Sequence, residues 1–137
     1  MGATAWKWFA PFGGDAESIL DEARLAAFAA RAYGKPYARG KPAVKTIEEL
    51  VSAFPEDGTC SVIDVSEIGD APGVACAGPF PPDVLKEALG TVKPTRAVVE
   101  ERMSALYELL DRGWAAYVVC YAQGKPSEVL FLGYSFD

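Results

Sequence analysis

Three carboxylates stand at a spacing of three, Asp64, Glu67 and Asp70. Such spacing could gather oxygens around a divalent cation or supply an acid–base pair. The stretch lacks an EF-hand pattern, so turn-capping and loop solubility account for Glu67 and Asp70. Asp64 differs, because it stands in an apolar run, where an acid must reach solvent, find a donor or sit in a pocket. Tyr117 and Tyr134 are the tyrosines that could share acid–base or ligand-binding work with it, and Asp137, read as the chain end beside Tyr134 and Ser135, could anchor a partner. A second group is basic. Arg31, Lys35, Arg39, Lys41 and Lys45 crowd one segment of an acidic chain, and charge against the global trend could bind a phosphate, a carboxylate or an acidic surface. The segment lacks the glycine spacing and trailing Lys-Ser/Thr of a P-loop, which leaves a solvated loop as the simpler account.

The chemistry open to these residues is narrowed by an absence. The 137-residue chain contains no histidine, which removes Ser–His–Asp and Cys–His catalysis and every His-ligated metal site. The three cysteines, Cys60, Cys76 and Cys120, are odd in number and far apart, a usage that fits a reducing cytoplasm better than a disulfide framework. Cys60 and Cys120 read as small core hydrophobes within strands, and Cys76, in a loop, as the thiol open to reaction. No metal or cofactor is expected. A formal net charge of −6 opposes a phosphate backbone, so nucleic acid is not expected as a partner. No apolar run approaches the ~20 residues of a membrane span, and the start does not resemble a signal peptide.

Half the residues are hydrophobic and 23% are charged, which places the chain among compact globular domains rather than disordered ones. The expectation is one α+β domain over residues 1–137. Residues 4–12 read as an aromatic strand, and Asp15 as the cap of a helix over 16–32 closed by Gly34. Residues 35–45 read as the basic loop. Thr46 and Glu49 then form a capping box opening a short helix that Pro55 ends. The β-branched run 59–65 reads as a buried strand. Residues 67–82, rich in glycine and proline, read as a long functional loop. Helices are expected over 83–89 and 96–112, the latter capped by Thr95. Residues 114–122 and 127–136 form two apolar strands joined at 123–126 into a C-terminal β-hairpin. The order is β-α-α-β-α-α-β-β, a mainly antiparallel sheet of about four strands with helices on one face and aromatics on the other. Trp6, Trp8, Phe9, Trp114, Tyr117, Tyr121, Phe131, Tyr134 and Phe136 make up that aromatic set, and core packing is favoured for it over a binding platform.

Several segments carry a resemblance. W-K-W-F-A-P-F near the start, G-T-C-S-V-I-D-V at 58–65, L-G-T-V-K-P-T-R at 89–96 and P-S-E-V-L-F-L-G-Y-S-F-D at 126–137 resemble a group of small bacterial proteins of unknown function from high-GC genomes. That resemblance covers most of the chain, implies a stand-alone domain complete at Asp137, and brings no activity with it.

The sequence therefore favours a cytoplasmic, non-enzymatic binding domain with a basic protein as partner, of the immunity-inhibitor or accessory kind. Its contact residues would be Asp64, the loop that follows it, and Asp137 beside Tyr134. The alternatives are a small enzyme or small-molecule binder using Asp64 with Tyr117 or Tyr134, and a structural subunit that dimerises through a sheet edge or an aromatic face.

Overall fold

The computed structural model describes residues 3–33, 45–53 and 58–136. The chain opens with strand β1 (Ala5–Pro11) and helix α1 (Ala16–Ala29), followed by helix α2 (Ile47–Ala53) and a single 3-10 turn (Val62–Asp64). Three short strands come next, β2 (Glu67–Ile68), β3 (Gly73–Val74) and β4 (Cys76–Pro79). Helices α3 (Pro82–Leu89), α4 (Arg96–Glu101) and α5 (Met103–Tyr107) lead to the hairpin of β5 (Trp114–Ala122) and β6 (Lys125–Tyr134). Local signals account for several boundaries. The Asp15 carboxylate accepts the Ser18 amide at 2.8 Å to start α1, and the Thr46 hydroxyl accepts the Glu49 amide at 3.1 Å to start α2. The Glu49 carboxylate reaches back to the Lys45 amide, one residue beyond the Thr46 amide of the usual capping box.

The expected four-stranded, mainly antiparallel sheet is overturned. Six strands form one mixed sheet in the order β1-β6-β5-β3-β4-β2, curled into a half-barrel. Strand β4 runs parallel to both β5 and β2. Two local misreadings explain the difference. Residues 59–65, expected as a strand, form a loop and the 3-10 turn, because side chains there satisfy the backbone locally. Residues 67–82, expected as a loop, carry β2, β3 and β4. Glycine is needed within them, since a Cβ on Gly78 would lie 2.1 Å from the Ala71 backbone that folds across it.

Helices α1 and α4 also depart from expectation. Helix α1 stops at Ala29, and Arg31 takes a left-handed φ of 54°. Gly34, the expected cap, lies outside the described residues. The helix expected over 96–112 is broken at Arg102, whose φ and ψ of −109° and 23° separate α4 from α5.

Helices pack on both faces of the sheet, which corrects the expected arrangement of helices on one face and aromatics on the other. Strand periodicity sorts the side chains. Trp6, Ala10, Ala115, Val129 and Phe131 join Ile19, Leu20, Ala23 and Ala27 of α1, Leu50 of α2 and Val62 and Ile63 of the 3-10 turn in one core. Ala116, Val118, Cys120, Leu130 and Leu132 face the other way, against Leu89 of α3, Val99 of α4 and Leu106 of α5. Helix α1 contacts β1, β2 and the 3-10 turn. Because β1 and β2 are the two ends of the sheet, this helix spans the gap of the half-barrel.

Candidate functional site

Asp64 sits at the end of the 3-10 turn, and its carboxylate is the centre of the preceding loop. The Thr59 amide and hydroxyl donate to Oδ1 at 2.6 and 2.8 Å, and the Cys60 amide donates to Oδ2 at 2.9 Å. Cys60 adopts a left-handed φ of 54° to turn its amide inward. The Thr59 hydroxyl also pairs with that of Ser61 at 2.7 Å, and Ser61 Oγ accepts the Ile63 amide. Gly58 is required beside this group: its φ is +72°, and a Cβ there would meet Phe136 at 2.6 Å and Asp64 Oδ2 at 2.7 Å. From helix α1, the Arg24 guanidinium donates twice to the Ile63 carbonyl, at 3.0 and 3.2 Å. Burial raises the Asp64 pKa above its ordinary value, and hydrogen bonds from Thr59, Cys60 and Ser61 pull it back only in part.

A cavity of about 120 Å3 adjoins Asp64, bounded by Arg24, Ile63, Ser66 and Phe136 among others. It is well below the ~300–1,000 Å3 of ordinary ligand sites. Neither Tyr117 nor Tyr134 lines it, so the structure does not assemble the expected carboxylate–tyrosine pair. Both oxygens of Asp64 are already committed to its own loop.

Glu67 opens β2, at the opposite end of the sheet from β1, and Asp70 follows that strand, while Tyr117 lies on the interior strand β5. Glu67 lies opposite Cys76 in the parallel pairing of β2 with β4, and Tyr117 of β5 lies opposite Pro79 of β4. The charges of Glu67 and Asp70 act on the Cys76 thiol, and that of Asp70 acts on the Tyr117 hydroxyl. Both carboxylates are exposed, and neither forms an ion pair among the described residues. Tyr117 is half-buried, its ring 6.3 Å from that of Phe131. Cys76 is half-buried in β4 rather than in a loop, and burial first, then Glu67 and Asp70, push its thiol pKa upward. That environment suppresses the thiolate and removes the reason for singling this cysteine out as reactive. Cys60, expected within a strand, occupies the Asp64 loop, while Cys120 is buried in β5.

Tyr134 stands elsewhere, on the face covered by α3 to α5. Its ring lies 5.5 Å from that of Tyr107, and both border an open depression of about 470 Å3 with Leu110 and Asp111. Tyr107 donates its hydroxyl to the Trp6 carbonyl at 2.7 Å. Burial drives its pKa up to about 12. No spacing rule could have found that bond, because it joins residues 101 positions apart. Of the basic group, Arg31 and Lys45 are exposed. Lys35, Arg39, Lys41 and also Asp137 lie outside the described residues.

Among the described residues no three His, Cys, Asp or Glu side chains gather as a metal-binding group, and no helix is long and apolar enough to cross a membrane. In comparisons with known proteins, no family model, curated protein or solved structure matches this chain.

Proposed function

We propose that the protein is a cytoplasmic, non-enzymatic binding domain that docks a basic protein partner through the surface formed by Glu67, Asp70 and Tyr117, as an immunity-type inhibitor or accessory protein does. One observation carries the reading. Two exposed carboxylates, Glu67 and Asp70, both act on the Cys76 thiol of β4, Asp70 also acts on the half-buried Tyr117, and no described cation is paired to either. Carboxylates held in this way complement a lysine or arginine, and the ring adds cation–π attraction and contact area. A net charge of −6 steers a basic partner toward the encounter. Asp64 is removed from the proposed contact set, since its oxygens hold its own loop.

The test is capture from the host lysate followed by native mass spectrometry, comparing the wild-type chain with the Glu67→Gln/Asp70→Asn double variant. A stoichiometric basic partner should be retained by the wild type, released by moderate salt, and held about tenfold more weakly by the double variant. Equal retention by both proteins would refute the assignment. A small retained mass in place of a protein would support the small-molecule alternative instead.

A further inference from the structure

Between strand β1 and helix α1 lies a groove of about 240 Å3 that the proposed docking surface does not use. Trp8 and Ala10 of β1 form one wall, and Ile19, Glu22, Ala23 and Ala26 of α1 form the other. Its origin is the alanine content of α1. Ala23 and Ala27 are buried where the helix meets the sheet. Ala26 remains exposed at the rim, and its single methyl leaves the space beside Trp8 unfilled. Most core space in proteins is filled to crystal-like density, so a groove of this size is a feature to explain.

The lining selects a ligand class. Trp8 is half-buried, offering part of an indole to the groove. Glu22 is the one charged group lining it and forms no ion pair among the described residues. An aromatic ring, a carboxylate and aliphatic walls together suit an organic cation. The ring and the carboxylate attract the charge, and the walls cover the apolar body. An anion would meet the Glu22 charge. A groove smaller than the ~300 Å3 lower bound of ordinary sites admits a one-ring amine and excludes a nucleotide or a larger cofactor. A second copy pairing along β1 is disfavoured by Lys7 at the strand's middle and by a net charge of −6 on each chain.

We propose that the β1–α1 groove is a binding site for a small organic ammonium ion, an apolar body of about one ring carrying a single cationic nitrogen. The site stands independently of the protein-docking surface, because it shares no residue with it.

The full chain would be titrated with 2-phenylethylammonium, and with 2-phenylethanol as the neutral isostere, while the indole N–H resonances are followed by NMR. The Trp8 signal is identified by its loss in Trp8→Phe. A saturable shift of that signal is expected with a dissociation constant of about 1 mM, the scale of a fragment held by exposed charge. The alcohol, and the ammonium with Glu22→Gln, should each bind about five times more weakly. Ala26→Leu should fill the groove and abolish the shift, and because Ala26 is exposed the fold tolerates it. No saturable shift, equal affinity for amine and alcohol, or indifference to Glu22→Gln would each overturn the proposal. So would a β1-mediated dimer in sedimentation that the ammonium does not displace.

Discussion

At the scale of single residues, Asp64 shows how a candidate catalytic group can be a structural one. Its carboxylate accepts three hydrogen bonds from Thr59 and Cys60. These bonds satisfy backbone amides of a part-buried loop within the loop itself. In Asp64→Asn the amide oxygen can still serve Thr59, but the new NH2 group confronts the Cys60 amide, donor against donor. A loss of about 1–3 kcal/mol in urea unfolding is expected, and a loss too small to measure would show that the carboxylate does not hold the loop. The pH dependence has a definite sign. Burial raises the folded-state pKa of Asp64 above its value in the unfolded chain. The protonated form is therefore favoured by folding. Its contribution is fully present below the ordinary carboxylate range and is lost as pH rises through the folded value. An NMR titration should place the Asp64 carboxyl above 3.8, and the difference in stability between wild type and Asp64→Asn should vary with pH across that window. The sequence marked Asp64 as unusual for a sound reason, an acid among apolar neighbours. It could not show that Thr59 and Cys60 would turn their amides onto it, because that depends on the left-handed backbone of Cys60.

At the scale of elements, the helix interrupted at Arg102 has a consequence for β1. The break separates α4 from α5, and Tyr107 at the end of α5 bonds the Trp6 carbonyl within β1. Tyr107→Phe leaves that part-buried carbonyl without its side-chain donor, and a loss of about 1–2 kcal/mol is expected in denaturant unfolding. An unchanged midpoint would show that β1 does not depend on the contact. Elements defined by local signals were legible in the sequence: the Asp15 cap of α1, the Thr46 cap of α2, the short helix expected over 83–89, and the terminal hairpin. The hairpin turn is tighter than expected, because Gln123 and Gly124 both take positive φ and Ala122 pairs directly with Lys125. Elements whose stability comes from neighbours were not legible. The β-branched run 59–65 has strand propensity, yet Ser61, Thr59 and Asp64 offer the backbone a local alternative that wins. Strands β2 to β4 have only two to four residues each, with glycine in β3 and glycine and proline in β4. Strands β3 and β4 pair with β5, and β2 pairs with β4, so neighbours rather than composition fix these strands. Arg102 carries no breaker signal at all. For the candidate site, the nearness of Glu67 and Asp70 along the chain was legible in the spacing, while the action of the Asp70 charge on Tyr117 depends on a sheet in which β2 pairs with β4 and β4 with β5.

At the scale of the whole molecule, the half-barrel depends on one helix. A curled sheet whose ends do not pair leaves two edges, and open edges invite pairing with other chains. Here β1 and β2 are the ends of the sheet, and α1 touches both while its Arg24 grips the 3-10 turn at Ile63. The helix contributes Ile19, Leu20, Ala23 and Ala27 to the core on that face. Helices α3, α4 and α5 pack on the opposite face. Weakening α1 should therefore loosen both ends of the sheet together, even though β1 and β2 are far apart in sequence. Ile19→Ala and Leu106→Ala make a matched pair, because both residues are buried, 3% and 0% exposed, in opposite cores. Each truncation should cost about 2–5 kcal/mol. Under native conditions, Ile19→Ala should accelerate amide hydrogen exchange in β1 and in β2 in parallel, by similar factors. Leu106→Ala should accelerate exchange in α5 and the β5–β6 hairpin first, with β2 following only through global unfolding. If Ile19→Ala instead loosened β1 while leaving β2 protected, the two edges would be held separately and α1 would not be the closing element. If the edges do open together, Ile19→Ala should also dimerise or aggregate at concentrations where Leu106→Ala remains a monomer, since only the first variant uncovers both strand edges.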